Sequence, residues 1–218
     1  MPRIIDILLS NLALLVLLPF FILIVVILLL TGEHKVFYLQ TRVGYKNKDF
    51  KIIKFATMLS NSANMGSGSL TLKNDPRVLP FGSFLRKTKI NELPQILNII
   101  IGDLSIVGPR PQMQVDFEKY SDDVQGKIYN VRPGLTGIGS IIFRDEESLI
   151  SLAADNEDPH DFYKRVIAPY KGELEIWYHS HRSVFLDSKL IFMTAWVIIF
   201  PETRLYEKWF KDLPIRSF

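Results

Sequence analysis

A chain of 218 residues with 48% hydrophobic side chains, a net charge of +3 and no cysteine has room for one catalytic domain and one membrane element. The missing cysteines exclude disulfides, thiolate catalysis and Cys-based zinc sites. The mild basic excess suits an anionic membrane surface, and no zinc-finger, RRM-like or heptad pattern points to nucleic acid.

Leu12 to Leu30 is an apolar run of nineteen residues that includes Pro19. As a helix it is about long enough to cross ~30 Å of hydrocarbon. It is too long for the apolar part of a cleaved signal peptide, and no small-x-small cleavage site follows. Two arrangements compete. A simple span puts Arg3 outside and Lys35, Arg42, Lys46 and Lys48 inside. In a re-entrant hairpin, Pro19 breaks the helix by removing a backbone donor and clashing one turn back. Both ends then stay cytoplasmic, with Arg3, Asp6, Ser10 and Asn11 at headgroup depth. Periodicity alone does not choose between them.

Beyond the run, Val36–Gln40 and Phe50–Phe55 read as short strands joined through Gly44 and Lys46–Asp49. Residues 59–70 (LSNSANMGSGSL) read as a mobile loop, and Asn74-Asp75-Pro76 starts a turn. Phe84–Ile101 is predicted as a helix interrupted near Pro94, and Gln112–Tyr129 as another helical stretch ended by Arg132-Pro133-Gly134. Leu149–Trp177 returns to mixed helix, and no G-x-G-x-x-G supports a Rossmann fold. Leu190–Phe200 is too short to span; its aromatic flanks (Trp177, Tyr178, Phe185, Trp209, Phe210) suit an interfacial helix, and a core helix fits equally. The predicted fold is α+β and mostly helical, with a membrane-inserted segment over 1–33 and a body with a small sheet over 34–218.

Residues 87–111, KTKINELPQILNIIIGDLSIVGPRP, carry the strongest chemical signal. Glu92 opens an amphipathic stretch that ends in a Gly-Asp turn and then in Gly108-Pro109-Arg110-Pro111. Two prolines around one Arg fix the backbone, so the guanidinium is presented with little freedom left to lose. An acid, a phosphate-shaped Arg and surrounding Lys/Arg suggest phosphoryl chemistry. Arg110 fits a diphosphate clamp, with Lys54 and Arg132 as second contributors. The alternative reading of Arg110 is structural, locking the Pro turn to a helix end. Asp145, Glu146 and Glu147 in the FRDEE run read first as a helix N-terminus, where acids meet the macrodipole favourably. His34, His160, His179 and His181 form no tight metal pattern.

Five segments in order resemble the bacterial sugar transferases, the monotopic phosphoglycosyl transferases that start lipid-linked glycan assembly. They are Pro19, Gln40-x-Arg42-x-Gly44, Lys54-Phe55-x-Thr57-Met58, the 87–111 signature and Arg132-Pro-Gly-Leu-Thr-Gly137. The resemblance implies a Pro-broken re-entrant helix at the bacterial inner membrane, with the catalytic domain on the cytoplasmic face and interfacial amphipathic helices. It implies transfer of a sugar 1-phosphate from a UDP-sugar to polyprenyl (undecaprenyl) phosphate with release of UMP. In that route a carboxylate attacks the sugar-linked phosphate, and the lipid phosphate then displaces it. Mg²⁺ is the implied cofactor, with Glu92 as its ligand. Gly134, Thr136 and Asp145 belong to the implied nucleotide-sugar region, and a homo-oligomer is left open.

The family reads Asp-Glu before Leu-Pro-Gln, and this chain has Asn91-Glu92. An amide is a poor nucleophile. Four explanations compete: Glu92 takes the nucleophile's place, an acid of the FRDEE run such as Asp145 does, the lipid phosphate attacks directly, or the chain is an inactive variant. The competing function classes are a catalytically impaired member and a membrane-surface binding module.

Overall fold

Helix α1 (Arg3–Leu30) presents a bare apolar face and is fastened to the rest of the chain on its other side, at both ends. The computed structural model describes residues 1–65, 71–72, 74–154, 156–201, 203–210, 212–216 and 218. After α1 come β1 (Phe37–Val43), β2 (Asp49–Phe55), α2 (Pro80–Lys87), α3 (Gln95–Ile101), β3 (Ser105–Val107), α4 (Gln114–Phe117) and α5 (Asp122–Lys127). The chain continues through β4 (Gly134–Thr136), α6 (Ile138–Ile142), α7 (Glu146–Ala153), α8 (Pro159–Phe162), α9 (Ala168–His181), α10 (Val184–Ile199) and α11 (Leu205–Trp209). The α+β, mostly helical expectation therefore holds.

At the start of α1, Arg3 donates to the carbonyls of Ile100 (3.1 Å) and Leu104 (3.3 Å). One turn on, buried Asp6 accepts from the Ser105 hydroxyl and the Ile106 N–H. At the far end Phe21, Ile24 and Leu28 pack with Phe55 of β2 and Leu85 of α2. Leu8, Leu12, Leu15 and Val16 point away from the body. Pro19 lies inside one helical segment, residues 3–30. Losing one donor and one i→i−4 bond mid-helix strains the helix without ending it when the flanking turns are all apolar helix formers.

The two predicted strands are an antiparallel hairpin, longer than predicted at the β1 end, with Phe37 opposite Phe55 and Val43 opposite Asp49. Its turn is closed by Lys46 and Asn47, both at φ 56. The Asn98 side chain accepts from Ile53 N–H and donates to Lys51 O, so one amide bonds β2 to α3 like a missing strand partner. The loop predicted over 59–70 lies partly outside the described residues, at 66–70; its described part includes a 3-10 turn, Ser62–Asn64.

The helix predicted over 84–101 is two, with Pro80 supplying the first turn of α2 and the interruption running through residues 88–94. Residues 112–129 are likewise two short helices and a 3-10 turn. Leu190–Phe200 falls in α10 up to Ile199, and the core-helix reading of it holds on one face. Leu190, Met193 and Val197 are in the main core with Ile138, Ile167 and Leu174, while Phe185, Phe192 and Ile199 face outward.

Candidate functional site

The 3-10 turn Ile90–Glu92 sits between α2 and α3, entered through Lys89 in a left-handed conformation (φ 60). Ile90 and Leu93 drop into the apolar cluster with Phe55 and Leu85, which turns Glu92 the other way. There its carboxylate meets the guanidinium of Arg110 at 2.8 Å and 3.5 Å and the ammonium of Lys54 at 3.7 Å. Glu92 and Lys54 are both largely shielded from solvent. All three line a cavity of about 1370 Å³ that also takes in Arg42, Arg86 and Lys89.

Arg110 is aimed by backbone bonds on both sides of it. Gly108 N–H donates to Thr136 O and Gly134 N–H donates to Pro109 O, each at 2.9 Å. The Tyr129 hydroxyl donates to Arg110 O at 2.9 Å and accepts from Gln112 N–H at 2.8 Å. Arg42 donates to Pro111 O, and Val43 N–H donates to Gln112 O. With its backbone groups satisfied this way the Pro-Arg-Pro turn has one conformation to offer. β3 and β4 run parallel here, Ser105 opposite Gly134 and Val107 opposite Thr136, so the two sequence signatures 105–111 and 132–137 are one structure. A Cβ on Gly108 would stand 2.9 Å from Gly134 N, and one on Gly134 would stand 2.7 Å from Gly108 Cα; the glycines are there because two backbones meet.

The electrostatics follow from one buried acid among cations. Burial pushes the Glu92 carboxyl up, but Arg110, Lys54 and the Arg110 hydrogen bond outweigh it and hold it well below the usual carboxylate range. Burial brings Lys54 down to about 7, with Glu92 opposing and Arg42, Arg110 and Arg86 adding to the fall. Such a cluster is a site for an anion carrying several charges.

The other predicted residues divide. Thr136 lines the cavity, its hydroxyl 2.6 Å from that of Thr194 on α10. Gly134 works through the backbone ladder. Arg132 stands apart from the cavity lining: it donates to Gly102 O at 3.0 Å and covers the Tyr45 ring. Asp145 is the residue before α7, paired with Arg216 at 3.2 Å, and Glu146 and Glu147 form the first turn of that helix, as its sequence suggests. Glu146 pairs with Lys171 at 2.8 Å and Glu147 with Arg86 at 2.6 Å. Arg86 and Lys89 were legible only as part of a basic run around residue 87; Tyr129 carried no signal, since a tyrosine in a helical stretch does not say which backbone it will bond.

Asn91 is buried, and its Oδ1 has no hydrogen-bond partner among the described residues. No cluster of three His, Asp or Glu suited to a metal occurs among those residues. Mg²⁺ is usually held by one or two carboxylates plus substrate phosphates rather than by an all-protein cage. Of that kind the cavity wall offers the Glu92 carboxylate, now held by Arg110 and Lys54, so a cation would share it with them.

The family model for bacterial sugar transferases matches residues 1–201. The chain belongs to that family. Among similar proteins, the exopolysaccharide production protein ExoY of Sinorhizobium fredii is 37% identical over 166 residues, 70% of this chain and 73% of ExoY. A UDP-N-acetylgalactosamine-undecaprenyl-phosphate N-acetylgalactosaminephosphotransferase of Aeromonas hydrophila is 31% identical over 90% of this chain and 43% of its own length. The UDP-glucose:undecaprenyl-phosphate glucose-1-phosphate transferase of Escherichia coli K12 is 33% identical over 89% of this chain and 39% of its own. The chain thus spans less than half the length of these two longer relatives.

Proposed function

We propose that this sugar transferase moves a sugar 1-phosphate from a UDP-sugar to undecaprenyl or a similar polyprenyl phosphate, releasing UMP, as the first membrane step of glycan assembly. The observation that carries the reading is the Glu92–Arg110–Lys54 cluster in the cavity wall, in a family whose named relatives act on these two substrates. Arg110, Lys54, Arg86 and Lys89 take up the diphosphate charge that two anionic substrates bring together. Glu92, ionised throughout the working pH range, attacks the phosphorus bonded to the sugar; the bond to the UMP oxygen breaks and UMP leaves with that electron pair. An oxygen of the lipid phosphate then attacks the same phosphorus, and the Glu92 carboxylate leaves. Mg²⁺, when bound, would neutralise diphosphate charge; Glu92 would be its ligand in the alternative in which the lipid phosphate attacks directly.

The membrane arrangement we propose is one-sided, with α1 entering and leaving the cytoplasmic leaflet. Residues near both ends of α1 bind the same body: Arg3 and Asp6 reach 100–106, and Ile24 and Leu28 reach β2 and α2. A spanning helix would have to carry those polar body residues through hydrocarbon, at several kcal/mol each. Cysteine labelling of a tag before Met1 from outside intact cells should fail; labelling would mean a true span. UMP release from a panel of UDP-sugars with polyprenyl phosphate and Mg²⁺ tests the activity. No release from any sugar would favour the second reading, an impaired family member, which Asn91 motivates.

A further inference from the structure

We infer that Glu175, on α9 and behind the cavity wall, is a positioning residue for Arg110. Its carboxyl supports the Arg110 backbone, and its charge state sets how strongly the clamp holds a diphosphate. This rests on the reading of Arg110 as a diphosphate contact.

Three observations place it. Glu175 Oε1 accepts from the Arg110 N–H at 3.5 Å. The same oxygen fills a hollow left by Gly139 of α6, lying 2.5 Å from where a Cβ would stand. Its Oε2 is buried with no hydrogen-bond partner among the described residues. Arg110 and Gly139 both line the cavity, so the carboxyl sits directly behind two wall residues. Burial raises this carboxyl to about 7, with the Arg110 hydrogen bond and the Lys171 charge only partly opposing. The titratable groups facing it are Arg110 from the turn, Lys171 and Tyr178 from its own helix, and Tyr120 and Tyr129 from the segment before β4. Lys171 is itself paired with Glu146.

Neutral Glu175 leaves the positive field of Arg110 and Lys54 directed at the cavity. Ionised Glu175 puts a negative charge behind the clamp, in a poorly screened place, and so opposes an incoming anion. Affinity for a diphosphate should therefore fall as pH rises through neutrality.

The test is calorimetric titration of UDP into the full chain in lipid nanodiscs, without lipid phosphate, at about pH 6 and about pH 8.5. The ionisation of UDP itself and of Lys54, at about 7, is common to wild type and variant, so the difference between them reads Glu175. The wild type should lose about tenfold more affinity across this interval than Glu175→Gln does. Gly139→Ala, whose methyl displaces the carboxyl, should bind UDP more weakly and also flatten the dependence, and it serves if Glu175→Gln does not fold. Equal pH dependence in wild type and both variants overturns the inference, as does a wild type that binds no UDP. A wild type that binds UDP with this dependence but transfers no sugar phosphate overturns the transferase reading and leaves Glu175 in its role.

Discussion

Arg110 holds Glu92 by both carboxylate oxygens, at 2.8 Å and 3.5 Å, from a turn whose own backbone is bonded on both sides. A lysine at that position keeps the charge and loses the fork. Arg110→Lys should lower kcat/KM on the order of 10²-fold or more, the scale of losing one preorganised contact to a transition state. The melting temperature should move by only a few degrees. A folded Lys variant of full activity would leave Arg110 a structural part of the turn.

Glu92→Gln removes the acid that pairs with both Arg110 and Lys54. Turnover should vanish. Breaking a buried pair from one side typically costs about 3–5 kcal/mol, so circular dichroism must accompany the assay. Mass spectrometry after incubation with UDP-sugar alone should find a phosphosugar on Glu92. An adduct on Asp145 or its neighbours would relocate the nucleophile.

Asn91→Asp places a second acid beside Glu92. In an active wild type it should change the rate by less than about tenfold, since the cations needed are already in place. If it creates activity where the native sequence has none, the chain as it stands is an inactive variant.

Glu175 also has a substrate-free signature. Its folded-state value near 7 lies above the ordinary carboxylate value, so its protonated form favours folding. That contribution is complete below about pH 4.5 and is lost as pH rises through 7. Glu175→Gln should therefore leave the melting temperature nearly unchanged at about pH 5 and raise it by several degrees at about pH 8.5. A pH-independent effect on melting would place the titration elsewhere.

Much of the site could be read before the fold was known, because its parts are local. Glu92 and Arg110 stand in motifs whose rigidity comes from neighbouring prolines and glycines. The β1–β2 hairpin was legible from alternation. β3 and β4 were not: three residues each carry no period, and their pairing is written only in glycines that admit another backbone. Lys54 was placed on a strand, but alternation says which side a residue faces and not that an acid 38 positions later waits there. Arg132 reads as a substrate contact because it adjoins a Pro-Gly turn; its bond to Gly102 O and its place over Tyr45 could not be read from that turn. Pro19 stands inside one helical segment, so the lost donor does not by itself end the helix.

The three consecutive acids before and within α7 grip three different elements: Asp145 the C-terminal Arg216, Glu146 the α9 Lys171, and Glu147 the α2 Arg86. The middle acid's partner, Lys171, is buried, while Asp145 and Glu147 are half-exposed. At 0.1 M salt charges are largely screened beyond about 10 Å, so these contact pairs are only weakened, the exposed ones more than the buried one. Rising ionic strength should thus weaken the holds on Arg86 and Arg216 before the one on Lys171, so the start of α7 is tied most durably to α9.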